Sequence, residues 1–307
     1  MMHDRQIDHI SAQTTRFDAL FPDRRGECES ELKNAQQVML RILKIVDDIC
    51  HRHSIDYWID GGTLLGAIRH KGFIPWDDDL DIAMPRKDYE RFLAIAAREL
   101  PPDLFLQTAQ TDATYDSFGK PPCKVRDELS LIMESHQPRQ SNHPGLFIDI
   151  FPVDRMHQSG PGRRADERMK RKYWNLCVLY NLRWEWSKDL KANVRNLAFL
   201  AKYLFKLDFW LKRYMKKAER RIADNQELKN DCRLGFGFDV PWVRFFDMDE
   251  IYPLQRIPFE DGSFPAPNNC DGMLKRYYGD YMQLPPAEKR RSPHFGSLVV
   301  DRRVDVV

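Results

Sequence analysis

No stretch of about twenty uncharged apolar residues occurs in this sequence, so nothing in it reads as a membrane-spanning helix. The opening residues, MMHDRQIDHISAQ, lack the apolar run of a signal peptide. A surplus of one charge is also missing. The formal net charge is +2 and the pI near 8.1, too mild a balance for a nucleic-acid partner. Cysteine occurs at 28, 50, 123, 177, 232 and 270, but no two positions form a Cys-x-x-Cys pair. That spacing, with Cys50 inside an apolar pattern, reads as the reduced thiols of a cytoplasmic protein. A zinc site would have to be assembled from distant Cys and His, because no ligand pair is local. Internal repeats and low-complexity tracts are absent as well, which leaves one large domain or a core with a substantial insertion.

What the chain does hold is enough apolar sequence, 42%, to bury a core. Over residues 31–53, Leu32, Ala35, Val38, Met39, Ile42, Leu43, Val46, Ile49 and Cys50 recur in steps of three and four, predicting an amphipathic helix. Tyr57-Trp58-Ile59 reads as a short strand that Gly61-Gly62 breaks, and Thr63 is placed to cap a helix running through Arg69. Residues 73–84 read as extended chain. A second helix follows Pro85, with Tyr89, Phe92, Leu93, Ala96, Ala97 and Leu100 on one face, and Pro101-Pro102 stops it. Residues 104–107 and 120–133 predict further strands, and GLFIDIFPVD (145–154) predicts a buried one. Residues 158–162 read as a linker, 163–230 as helical, basic and aromatic-rich, and the remainder as loop-like.

The expected fold class is therefore α/β (α+β), a mixed-sheet core flanked by helices. Its expected parts are a loosely attached arm (1–30), a catalytic core (31–157), a basic helical insertion (158–232) and a C-terminal segment folding back on the core (233–307). Residues 196–217, NLAFLAKYLFKLDFWLKRYMKK, interleave aromatics with Lys and Arg. They read either as a helix packed on the core or as a peripheral contact with an anionic membrane.

The densest chemistry lies in GGTLLGAIRHKGFIPWDDDLDIAM (61–84), where four aspartates fall within five positions. Such a cluster repels itself, and hard divalent cations with the phosphates they carry are its natural partners. Side chains alternate along a strand, so Asp79 and Asp81 are expected to share a face while Leu80, Ile82 and Met84 enter the core. Asp149 stands alone in an apolar strand, where an unpaired charge would cost several kcal/mol, and it is the candidate third carboxylate. Carboxylate oxygens of this kind suit Mg2+ or Mn2+ and in-line displacement at phosphorus. The Gly61-Gly62 turn opens a helix whose free N–H groups would face a phosphate. Asp77 and Asp78 follow Pro75 and read equally well as a solvated turn.

Arg69, His70 and Lys71 close the first helix, and Lys124 and Arg126 alternate on a strand, so that these cations are candidates for the phosphates of a donor. Simple surface ion pairs, and for Arg69 the helix dipole, are the competing readings. Tyr57, Trp58, Phe73 and Trp76 read first as core. Trp76 has the alternative of stacking on a base or facing a quaternary ammonium. His294 reads more readily as a surface residue than as a catalytic one.

At these residues the chain resembles the LicD/fukutin family, a branch of the nucleotidyltransferase-fold superfamily. The resemblance rests on the 61–84 block, KVRD (124–127), GLFIDIFPVD (145–154) and FPAPNNCDGMLKRYYGDYMQLPP before His294. It implies a nucleotidyltransferase-like core that moves a phospho-alcohol group, such as phosphocholine or ribitol phosphate, from a CDP-alcohol donor to a sugar hydroxyl of a glycan or lipid-linked glycan, releasing CMP. It places the superfamily's glycine pair on Gly61-Gly62, with Thr63 following, and its three acidic positions on Asp79, Asp81 and Asp149. Two other activities fit the residues: a nucleotidyltransferase moving NMP from an NTP, and a non-catalytic nucleotide- or metal-binding regulator.

Overall fold

The spacing of apolar residues after Ser30 yields helix α1 (Glu31–Arg52), whose N–H at Lys33 is capped by the Ser30 hydroxyl at 3.3 Å. The computed structural model describes residues 16–134, 143–182, 207–229, 231–292 and 295–299. The chain divides into two units. The first holds the described residues of Met1–Tyr115, Cys123–Ile150 and Asp249–Val307, and the second holds those of Asp116–Pro122 and Phe151–Met248.

In the first unit, α1 is followed by β1 (Trp58–Ile59), α2 (Gly61–His70), β2 (Asp81–Pro85), α3 (Arg86–Glu99), β3 (Leu104–Thr108), β4 (Cys123–Asp127), β5 (Leu131–Glu134) and the start of β6 (Phe147–His157). The sheet order is β1-β2-β6-β4-β3. Antiparallel register sets Lys124 opposite Asp149 and Arg126 opposite Phe147, so each pair shares a face of the sheet. The buried face of α1, with Val38, Met39, Ile42, Leu43, Val46 and Ile49, joins Ile59, Ile82, Val125, Ile148 and Ile150 in one core. Helices and strands alternate along the chain, which is the α/β (α+β) class expected.

Four local expectations change. The strand expected over 73–84 is regular only from Asp81; the residues before it form turns and irregular chain. Asp60, not Thr63, is the N-cap of α2, and the Thr63 hydroxyl instead accepts the Asp81 N–H at 2.8 Å. Residues 16–30 are docked rather than loose: Phe17 is buried, and Arg25 forms a bidentate pair with Asp127 at 3.0 and 2.6 Å. The expected linker at 158–162 opens helix α4 (Gly160–Tyr180), because Pro161 in a first turn removes only an N–H that has no helical partner anyway.

The second unit continues β6 and adds α4, α5 (Leu207–Gln226), β7 (Cys232–Phe236) and β8 (Phe245–Phe246). Tyr173 of α4 stacks on Tyr214 of α5 with centroids 4.7 Å apart. The buried Lys170 ammonium donates to the carbonyls of Gly237 and Val240, each at 2.6 Å, which holds the chain after β7. Of the segment offered to a membrane, 196–206 lies outside the described residues. The rest opens α5 and exposes Phe209 and Trp210. Among the described residues no helix is long and apolar enough to cross a membrane.

The tail expected to be loop-like returns to the first unit with regular structure. It holds α6 (Met248–Ile251), the hairpin β9 (Gln255–Phe259) and β10 (Gly262–Ala266), α7 (Cys270–Tyr278), and β11 (Phe295–Val299), which pairs with β5. His294 lies outside the described residues.

Candidate active site: an aspartate cluster at the start of a glycine-opened helix

Helix α2 begins where the chain leaves β1, and its first residues face the acidic loop. Gly61 has φ +58°, a conformation that favours glycine, and a Cβ there would lie 3.0 Å from Asp81 Oδ2. A Cβ on Gly62 would lie 3.0 Å from Asp77 Oδ2 and 3.9 Å from Asp79 Oδ1. Three carboxylates therefore converge on the start of one helix, two of them so close that a Cβ on either glycine would press on them. The far end of α2 is as tight: a Cβ on Gly66 would meet the Gly72 carbonyl at 2.4 Å.

Asp149 joins from β6, its N–H donating to the Leu80 carbonyl at 2.8 Å, so the third strand lies against the acidic loop as the sequence anticipated. Lys124 reaches it from β4, with Nζ 2.5 Å from Oδ1. The same ammonium lies 3.5 Å from the centre of the Phe147 ring.

The electrostatics show how crowded this corner is. Burial, reinforced by Asp79, Asp149, Asp60 and Asp77, holds the Asp81 carboxyl well above the usual carboxylate range. Burial and the hydrogen-bonded Asp79 carboxylate raise Asp77 to about 8. Asp149 is raised by burial and only partly brought back by Lys124. Asp78 is buried at 2% exposure, so the solvated-turn reading fails for it. Asp60, buried beneath the cluster at 1% exposure, was missed in the sequence; its signal was a carboxylate placed directly after the buried strand Trp58–Ile59.

The other expected residues take separate places. Arg69 donates through Nη1 to the Tyr281 carbonyl at 2.8 Å and through Nε to His70 Nε2 at 2.9 Å, and it lies in the field of Asp77. Arg126 is buried, with Nε on Gln107 Oε1 at 2.5 Å and Nη1 on the Gly145 carbonyl at 2.7 Å. These hydrogen bonds tie β4 to β3 and to the chain entering β6, the strand that carries Asp149. Thr63 braces Asp81 in the same indirect way.

Oxygen donors without sulfur or imidazole suit a hard cation such as Mg2+ or Mn2+. Among the described residues no group of three or more His, Cys, Asp or Glu side chains is arranged to hold a metal ion. The donor chemistry nevertheless fits, because the raised carboxyls of Asp77, Asp81 and Asp149 mark negative charge that a divalent ion would neutralise.

A measurable consequence follows from the sign of these shifts. A carboxyl whose folded pKa is raised contributes stability that is complete below its unfolded value, near 3.8, and is lost as pH rises through its folded value. In EDTA, the melting temperature is expected to fall between pH 6 and 8, with a shallower slope in Asp77→Asn. Mg2+ should raise the melting temperature more at pH 8 than at pH 6. A melting temperature equally unresponsive to Mg2+ at both values would contradict this assignment.

The arrangement is a cluster of carboxylates set against the start of a glycine-opened helix. Comparison with known proteins identifies the family. The family model described as "LicD/FKTN/FKRP, nucleotidyltransferase domain" matches residues 54–205. The chain is 31% identical over 268 residues to the lipopolysaccharide cholinephosphotransferase LicD of Haemophilus influenzae, a match covering 86% of this chain and 96% of that protein. It is 26% identical over 162 residues to the mouse ribitol-5-phosphate transferase FKTN, across 53% of this chain and 30% of that one. A short match, 50% over 34 residues, links it to the human ribitol 5-phosphate transferase FKRP, over 11% of this chain and 7% of that protein. The chain belongs to the LicD/FKTN/FKRP family.

Proposed function

We propose that this protein transfers a phospho-alcohol group from a CDP-alcohol to a hydroxyl of a cell-surface glycan or its lipid-linked precursor, releasing CMP. The observation that carries the reading is the convergence of Asp77, Asp79 and Asp81 on Gly61-Gly62 with Asp149 alongside. The relative that matches along most of its length is named for cholinephosphate transfer to lipopolysaccharide, which makes phosphocholine the first alcohol to test.

Asp79, Asp81 and Asp149 would hold Mg2+ or Mn2+, which supplies charge neutralisation at the phosphates and lowers the pKa of a nearby hydroxyl. The chain's own groups do the rest. The N–H groups at the start of α2 and the cations of Arg69 and Lys124 orient the diphosphate. Thr63 and Arg126 keep the acidic loop and β6 in place through the hydrogen bonds described above. Lys124 engages Asp149 Oδ1, which leaves Oδ2 to take the proton of the acceptor hydroxyl. The acceptor oxygen bonds to the phosphorus bearing the alcohol as the bond from that phosphorus to the CMP oxygen breaks. CMP leaves as the anion. Positioning and charge neutralisation supply most of the acceleration, as in other phosphoryl transfers.

The test is product analysis. Incubation with Mg2+ and a panel of CDP-alcohols, CDP-choline first, is expected to release CMP in a glycan-dependent manner. Pyrophosphate released from an NTP would favour the nucleotidyltransferase reading, and no CMP from any member of the panel would sink the donor assignment.

A further inference from the structure

The catalytic reading has two flanks. On one, Asp149, held by the Lys124 ammonium, takes the acceptor's proton, and the other is formed by Asp77 with Arg69 in its field. In-line displacement sets the leaving group opposite the attacking oxygen, and Arg69 is a cation for the CMP phosphate separate from the Lys124–Asp149 pair. The Arg69 flank is completed by the C-terminal part of the first unit. The Tyr281 carbonyl holds Arg69, and beyond it residues 290–292 lie over Trp76.

Trp76 is half-buried against the core and directly precedes Asp77. The His70 ring meets it edge-on, with centroids 6.2 Å apart at 79°. The Ser292 hydroxyl donates to its backbone carbonyl at 3.3 Å. The exposed Arg290 sets its guanidinium carbon 5.8 Å from the Trp76 ring centroid. Its Nε is anchored on the Pro285 carbonyl at 2.8 Å. The two terminal nitrogens carry no hydrogen bond among the described residues. A half-buried indole one residue from Asp77, with a guanidinium 5.8 Å from its centre, offers a flat ligand a stacking surface and hydrogen-bond donors together.

We propose that Trp76 and Arg290 form the nucleobase subsite of the donor and select cytosine. This rests on the CDP-alcohol reading and deepens it. The base stacks on the Trp76 face, an interaction indifferent to which base is present. Arg290 supplies the choice. Cytosine offers adjacent acceptors at O2 and N3, which match two parallel guanidinium N–H donors. Uracil presents N3–H at the same edge and sets donor against donor. Arg290 therefore separates cytidine from uridine donors, while Trp76 supplies affinity common to both.

Calorimetric titration of the full-length protein with CMP, UMP and ribose 5-phosphate in Mg2+ tests this. CMP is expected to bind at least about tenfold more tightly than UMP, as one well-made bidentate contact allows. Arg290→Gln should bring CMP to within about threefold of UMP and leave ribose 5-phosphate unchanged. Trp76→Ala should weaken CMP and UMP together by about tenfold or more. An unchanged affinity for ribose 5-phosphate then shows that the fold and the phosphate site survive. Equal wild-type affinity for CMP and UMP overturns the proposal, and so does discrimination that survives in Arg290→Gln. If CDP-choline still yields CMP in those cases, the subsite alone is wrong. If neither CMP binding nor CMP release is found, the donor reading falls with it.

Discussion

Asp81→Asn is expected to lower transfer by at least about a thousandfold and, in the absence of metal, to make the protein more stable. The two effects have one cause. Asp81 is a half-buried, largely desolvated carboxyl in the field of Asp79, Asp149, Asp60 and Asp77, and it is held well above its ordinary range. Its ionisation opposes folding, so replacing it with a neutral isostere removes a cost of roughly 1–3 kcal/mol. The same charge is what the proposed chemistry requires, because only an ionised carboxylate holds a divalent cation and offsets phosphate charge. A side chain retained for its packing would show the opposite pairing, with stability lost and activity reduced in proportion. Urea unfolding in EDTA and CMP release in Mg2+ separate the cases. An Asp81→Asn protein that keeps a tenth of wild-type transfer, or that unfolds more readily without metal, contradicts the assignment.

Arg25→Ala is expected to cost about 3–5 kcal/mol of stability, a large share of the ~5–15 kcal/mol that holds a typical domain folded. Arg25 and Asp127 are both buried, with side-chain exposures of 2% and 0%. Their contact is a two-pronged pair, and Arg25 Nε also reaches Asp23 Oδ2 at 2.6 Å. Asp127 further accepts the Leu129 N–H at 3.1 Å, and its own N–H donates to the Leu146 carbonyl at 2.7 Å. Removing the guanidinium leaves a desolvated carboxylate at the end of β4, two strand positions beyond Val125. The double variant Arg25→Met/Asp127→Leu should recover much of the loss, because the penalty lies in the stranded charge more than in the missing pair. Urea denaturation of the two single variants and the double closes the cycle. A cost under about 1 kcal/mol for Arg25→Ala would mean that water reaches Asp127.

The pairing of Arg25 with Asp127 also marks where sequence reading stopped. KVRD is visible as a motif, but nothing near residue 25 points across 102 positions to it. The amphipathic spacing of 31–53 specified α1 within a residue, since 3.6-residue periodicity is local. The glycine pair, the Asp-x-Asp and the lone Asp149 were legible for a similar reason: each breaks an otherwise apolar or regular pattern. Asp60 escaped because its position after a two-residue strand looks like a loop, and only the packed structure shows it buried. Arg290 and Ser292 escaped because the tail that carries them reads as Pro-rich connection, while the β9–β10 hairpin and α7 bring that tail back to Trp76.

By itself the sequence determined which elements form and which residue types stand out from them, because helix period, strand alternation, caps and glycine freedom act over a few residues. Tertiary structure decided which of those residues meet. It set Lys124 opposite Asp149 through antiparallel register, turned Thr63 and Arg126 into braces, and buried Arg25 on Asp127. The physical reason is desolvation: a carboxylate removed from water must find a cation, a donor or a proton within a few ångströms, and the fold, not the spacing along the chain, settles which one is there.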